Sequence, residues 1–234
     1  MPTSGGDARR RSLENRRLPC SVNGCTRRRK MVSAYCPTHG RHVALFGHHA
    51  GRYIRKQEYA SYVNLARRLF RRLDASGHPA LGAALSVVAA LTLLGEQPRA
   101  PKPLRLNPRW LLWRELQRLE DVEPKVALAA VVGTYLYSYH QPRQLPDDQR
   151  LTYALAHAVF RLRPLAITRS YYNHETGTVE NTHRPPSGLA CGLLGSRLRN
   201  ALAPFFVSLT EYVEQEHQRS AEQAMALRTP LTTP

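Results

Sequence analysis

The chain has 234 residues, 42% of them hydrophobic, which is enough for one substantial core and excludes wholesale disorder. Lys and Arg number 34 against 17 Asp and Glu, a formal charge of +17 that makes a polyanion the first expected partner. The charge is lopsided: residues 1–80 hold 17 basic and 4 acidic side chains, net +13, whereas residues 81–234 hold 17 and 13, net +4. The amino-terminal third is therefore expected to meet the anion and the remainder to be an ordinary folded body.

Residues 1–17 combine Gly and Ser with Arg9, Arg10, Arg11, Arg16 and Arg17 and offer little to bury, so they read as a mobile basic arm. They contain no apolar run of the kind a secretory signal needs, and a cytoplasmic chain with reduced cysteines is the expectation. A compact segment rich in Cys and His follows over 18–51. From 52 to 73 the pattern turns helical: Tyr59, Tyr62, Leu65, Ala66, Leu69, Phe70 and Leu73 form one face, and Arg67, Arg68 and Arg71 fall on the other. Residues 74–79 break this helix and place Pro79 in the first turn of the next.

The stretch 79–94 is apolar almost all round and reads as the centre of the core. Its apolar part is too short to span a bilayer, which takes about 20 residues, so no membrane association is expected. Four prolines between 97 and 108 suggest an extended strap. Asn107-Pro108 then reads as an N-cap followed by proline at the first helical position, opening a helix to about Leu119 in which Trp110 and Trp113 serve as packing anchors. Glu123-Pro124 opens another to about Tyr139, and Pro146-Asp147-Asp148 a third to about Arg161. Ile167, Thr168, Tyr171, Tyr172, Thr178 and Val179 around a His174-Glu175-Thr176-Gly177 turn indicate a β-hairpin over 165–184. A last helix from Gly188 carries Leu189, Leu193, Leu194, Leu198 and Leu202, with Pro204 expected to break or kink it. Beyond it Phe205, Phe206, Leu209, Tyr212 and Val213 make a stripe that could pack on the body or pair with a second copy. Residues 226–234 read as a frayed tail. The expected fold is mainly α: an N-terminal zinc module (18–51) and a helical domain (52–225) with one hairpin.

The strongest chemical signal is Cys20-x4-Cys25, ten further residues, and Cys36-x2-His39. Two such pairs can set three thiolates and one imidazole around a tetrahedral Zn2+ ion, and a shell filled by four protein ligands is structural rather than catalytic. Between the pairs lie Arg27, Arg28, Arg29 and Lys30, a basic loop whose two ends the metal would fix. Arg41, Arg52, Arg55 and Lys56 extend the candidate nucleic-acid surface, with Arg67 and Arg71 continuing it on the following helix.

The order of these ligands, with Gly24 before the second Cys, an aromatic residue before Cys-x2-His and basic residues after it, resembles the small Cys3His zinc modules of phage and mobile-element proteins. The resemblance covers residues 18–56 and implies Cys20, Cys25, Cys36 and His39 as ligands in a zinc-finger-like nucleic-acid binder, a regulator or accessory factor. Such modules also accompany His-Asn-His endonuclease domains. Here His48-His49 and Asn173-His174-Glu175 are the local candidates for that chemistry, and neither stands in an extended signature. DNA is the expected partner ahead of RNA, which Tyr53, Tyr171 and Tyr172 could serve by stacking on unpaired bases. A His-metal endonuclease and a zinc-dependent protein-interaction module are the alternatives, and no catalytic residue is assigned.

Overall fold

In the computed structural model, which describes residues 5–93, 95–99, 107–165, 167–174 and 177–226, the chain is mainly helical and its one sheet among those residues is a two-stranded hairpin. The helices are α1 (Gly5–Asn15), α2 (Pro37–Phe46), α3 (Lys56–Ala75), α4 (Pro79–Thr92), α5 (Pro108–Leu116), α6 (Pro124–His140), α7 (Asp148–Phe160) and α8 (Gly188–Ala226). A 3-10 turn at Gln117–Leu119 extends α5. Strands β1 (Ile167–Asn173) and β2 (Thr178–His183) pair antiparallel, with Tyr172 opposite Val179 and Asn173 opposite Thr178.

Helix starts follow local chemistry. Asn107 Oδ1 accepts from the amides of Arg109 (3.0 Å) and Trp110 (3.4 Å), satisfying N–H groups that have no partner in the first turn of α5. Asp147 does the same for the Arg150 amide (2.7 Å) at α7, and His78 Nδ1 for Ala80 (3.3 Å) at α4. Proline occupies the first turn of α2, α4, α5 and α6, where its missing N–H removes no helical bond.

The centre of the core is α6 rather than α4. Every residue from Ala127 to Thr134 in α6 is buried, and so are Leu136 and Tyr137. α4 buries only Leu81, Ala84 and Val88, and Leu93 just past its end is 73% exposed. Both helices are apolar on all sides, so local pattern could not rank them. What decides is that α6 is enclosed by α3, α4 and α7, whereas α4 packs chiefly on α6 and α8. α3 divides as its periodicity implies, with Ala66, Leu69, Phe70 and Leu73 buried and Arg67, Arg68 and Arg71 exposed. Trp110 packs on the core as expected, under the Arg114 guanidinium (4.8 Å), whereas Trp113 is half-buried outside that core cluster and its Nε1 donates to the Gly95 carbonyl (3.2 Å).

α8 does not break at Pro204. The missing N–H and the ring's crowding of the preceding turn are offset by packing on both sides of it, through buried Leu198, Leu202, Phe205, Phe206, Leu209 and Val213. Phe206 stacks on Tyr135 at 4.0 Å between centroids. The stripe that could have paired with a second copy is thus covered by the chain's own body.

The arm expected to be mobile is helical over Gly5–Asn15. Arg10 pairs with Glu14 one turn on (3.0 Å), and Asn15 at its end donates to the Met31 and Ser33 carbonyls, tying it to the segment that follows. Residues 100–106 of the proline-rich strap, 227–234 of the tail, and Glu175 and Thr176 at the hairpin tip lie outside the described residues. Among the described residues no helix is long and apolar enough to cross a membrane.

Candidate metal centre and basic surface

Two short turns build the centre. An antiparallel bridge joins Pro19 and Arg28, and the Cys20 amide donates to the Arg27 carbonyl (2.9 Å). Inside this loop the Cys25 amide closes a turn on the Val22 carbonyl (3.0 Å), and Gly24 takes a left-handed φ of +76°, which a residue with a side chain adopts only under strain. The second pair straddles the start of α2. Cys36, preceding Pro37, is held extended (ψ 166°), and His39 sits in the first turn, where the Gly40 amide reaches back to the Cys36 carbonyl (2.8 Å). Three-residue spacing across that turn puts Cys36 and His39 on one side.

The four ligand atoms all lie within 4.8 Å of one another. Cys25 and Cys36 Sγ are 4.0 Å apart, and His39 Nδ1 is 3.4 Å from Cys20 Sγ and 3.5 Å from Cys36 Sγ. A tetrahedron with metal–sulfur bonds of about 2.3 Å has edges of about 3.8 Å, so one ion can take all four. The set is the only group of this kind among the described residues. Three sulfurs and one nitrogen at tetrahedral spacing suit zinc, and all four positions are filled by protein.

Electrostatics give the same reading. Burial opposes ionisation of Cys20, but the Cys36 and Val22 amides and the His39 ring outweigh it and hold the thiol down at about 6. For Cys25 the Arg27 amide favours the thiolate, yet burial and the neighbouring Cys20 and Cys36 sulfurs push it up. Without a cation among them the sulfurs resist ionising together; a divalent ion relieves that repulsion.

The module docks on the body through α2. Phe46 is buried and meets Tyr53 edge-on (4.7 Å), His157 Nε2 of α7 donates to the Leu45 carbonyl (3.0 Å), and Arg150 donates to His48 Nδ1 (2.7 Å). A Cβ on Gly188, at the start of α8, would fall 1.5 Å from the Ala44 carbonyl oxygen, so only glycine admits this approach. Cys191 is buried beside His157; burial pushes its thiol up and holds the imidazole down at about 4, leaving both neutral.

The basic residues divide into two groups. Arg27 donates to Thr38 Oγ1 (2.5 Å), Arg29 to the Pro19 carbonyl (2.8 Å) and Ser21 Oγ (3.0 Å), and Arg52 grips both oxygens of Glu58 (2.7 and 2.8 Å). These three hold the structure together. The side chains of Arg28, Lys30, Lys56, Arg67 and Arg71 are exposed, with no hydrogen-bonded or ion-paired partner among the described residues; Arg41 and Arg55 are exposed as well. Arg67, Arg68 and Arg71 line an open groove with Lys125 at the start of α6. Of the tyrosines, Tyr171 and Tyr172 are exposed on the hairpin, whereas Tyr53 is half-buried with its hydroxyl enclosed. The His48 and His49 rings pack together at a tilt of 35° (4.0 Å between centroids), and His174 lies exposed against Tyr172.

Sequence reading missed a buried carboxylate. Glu115 is 1% exposed and receives Arg118 (2.8 Å), with Arg184 at 3.5 Å, while Arg118 also donates to the Pro164 carbonyl (2.6 Å). This cluster fastens both feet of the hairpin to α5. Its only sequence signal is one acid among the arginines of an otherwise amphipathic helix. The chain matches no protein-family model, no curated protein and no solved structure.

Proposed function

We propose that the chain is a zinc-stabilised nucleic-acid-binding protein that grips the phosphate backbone, with duplex DNA as its preferred partner. The observation that carries this reading is the set of exposed cations whose side chains have no partner among the described residues: Arg28 and Lys30 between the ligand pairs, Lys56 at the start of α3, and Arg67 and Arg71 further along that helix. Cys20, Cys25, Cys36 and His39 would hold the zinc, which supplies folding free energy to a loop with little apolar surface of its own. A loop pinned at both ends loses less freedom when it closes on phosphates than a free basic tail does. The contacts are to backbone, so they position the protein without reading base sequence.

Exposed Tyr171 and Tyr172 favour unpaired RNA or DNA as a second partner, since base stacking needs accessible rings. The discriminating experiment is competition binding with duplex DNA, single-stranded DNA and RNA over a salt series. Each phosphate contact on duplex lowers log affinity by about 0.9 per tenfold increase in salt, so five contacts predict a slope of about −4 to −5. A slope near zero on every nucleic acid would point to a protein-interaction module. Cleavage dependent on added divalent metal would point to an endonuclease. Either result removes the proposal.

A further inference from the structure

A cavity of about 110 Å3 opens at the seam where the segment after α2 meets α6 and α7. Its walls carry Arg52, Arg143, Arg150 and Arg161 and no carboxylate. Two of these guanidiniums are neutralised from behind, Arg52 by Glu58 at 2.7 Å and Arg150 by Asp147 at 3.1 Å. The other two are not. Arg161 donates to the Ile54 carbonyl (2.8 Å) and lies over the Tyr53 ring, and Arg143 is exposed with no hydrogen-bonded or ion-paired partner among the described residues. His157 on the same wall adds no positive charge to this count, because burial keeps it neutral. The rest of the lining mixes small and aliphatic residues with aromatic rings, Tyr53, Tyr59 and Tyr137 among them, and the buried Tyr53 hydroxyl has no hydrogen-bond partner.

A surplus of two positive charges in a partly enclosed, tyrosine-walled space matches a compact anion of charge about −2 attached to a ring. Guanidinium forks bind phosphate oxygens in pairs, and tyrosine faces accept a flat base or sugar. The space suits a phosphate group better than a whole nucleotide, since cavities of about 150 Å3 are filled by a benzene-sized molecule. We propose that this pocket binds a phosphate monoester, carried either by a free nucleotide or by the 5′ end of a polynucleotide. The pocket is separate from the Arg28 loop and does not depend on that loop's contacts.

The test is calorimetric titration of the zinc-loaded full chain with AMP, inorganic phosphate and adenosine. AMP and phosphate are expected to bind and adenosine not to. Arg143→Gln and Arg161→Gln should each weaken AMP roughly tenfold, as loss of one charge-assisted hydrogen bond does. Arg143 is exposed, so its replacement should leave the melting temperature unchanged, and Arg109→Gln, which removes a charge elsewhere, should leave AMP affinity unchanged. Single strands with 5′-phosphate or 5′-hydroxyl ends separate the sources. A preference for the phosphorylated strand that Arg143→Gln abolishes assigns the pocket to strand ends; equal binding of both strands, with AMP still bound, assigns it to free nucleotides. No binding of AMP or phosphate, or an AMP affinity unchanged in both pocket variants, overturns the proposal, whatever duplex DNA binding then shows.

Discussion

The Cys- and His-bearing segment and α6 differ in what can hold them together. Between residues 18 and 36 the buried side chains with apolar character are Cys20 and Cys36, two of the ligands themselves, and the backbone is pinned by a single bridge and a few turn bonds. α6 instead buries ten residues between Ala127 and Tyr137, enclosed by three neighbouring helices. Apolar burial at roughly 25 cal/mol per Å2 suffices for the second region and cannot sustain the first. The chain therefore joins, through α2, a part whose own apolar burial is too small to order it and which an ion on the four Cys and His side chains would hold, to a part ordered by excluding water.

That contrast is broken most severely by taking the ion away. Cys36→Ser removes a ligand and leaves three donors. Structural zinc in small modules contributes on the order of 10 kcal/mol of apparent binding free energy, far more than the segment's other contacts, so residues 18–36 should lose protection from amide exchange. Elemental analysis should fall from one zinc per chain toward none, and chelator should act on the wild type in the same way. The protection of α6 should survive both treatments.

The reciprocal lesion is Leu128→Ala, at a fully buried position in α6. Lost transfer energy and a residual cavity predict about 2–5 kcal/mol, read as a lower urea midpoint for the helical body. Zinc content of the folded fraction should not change. If it falls in step with stability, the two regions are one cooperative unit and the contrast is only one of composition.

Acid sharpens the comparison at the seam. His157 is held at about 4 by burial, against the ordinary value near 6.5. Between those two values the unfolded chain binds the proton and the folded chain does not, so stability is fully present above about pH 6.5 and declines as pH falls toward 4. A separation of that size corresponds to about 3 kcal/mol. Thermal melts of the wild type and of His157→Gln across this window should converge at low pH, because glutamine has nothing to protonate. Parallel curves would mean that His157 is not the group responsible.

What was legible in the chain was what short-range chemistry dictates. The four candidate ligands could be read because spacing and donor type are local, and the Asn107 cap because its side chain satisfies amides two and three residues on; at Asp147 the helix start was legible but the capping residue was not singled out. The arginine face of α3 followed from its periodicity. Features set by distant neighbours were hidden. α2 is covered by a Pro-Thr-His-Gly start that reads as loop, and it is supported by α7 and α8, more than a hundred residues away. The ranking of α4 and α6 depends on which neighbours enclose them. The division of arginines into structural and free depends on partners such as Glu58 and Thr38, which composition cannot assign.

The smallest expected change in stability is the one most informative about function. Arg28 sits in the bridge opposite Pro19 with its side chain exposed and unpartnered among the described residues, whereas Arg29 beside it bonds Pro19 and Ser21. Arg28→Ala should therefore leave zinc content unchanged and stability within about 0.5 kcal/mol. It should weaken duplex binding to a similar degree on every sequence and reduce the salt slope by about 0.9, the share of one phosphate contact. Arg29→Ala should do the opposite, loosening the module while altering the slope little in whatever fraction stays folded. If the two variants behave alike in both assays, the loop does not separate binding from folding, and the assignment of Arg28 to phosphate fails.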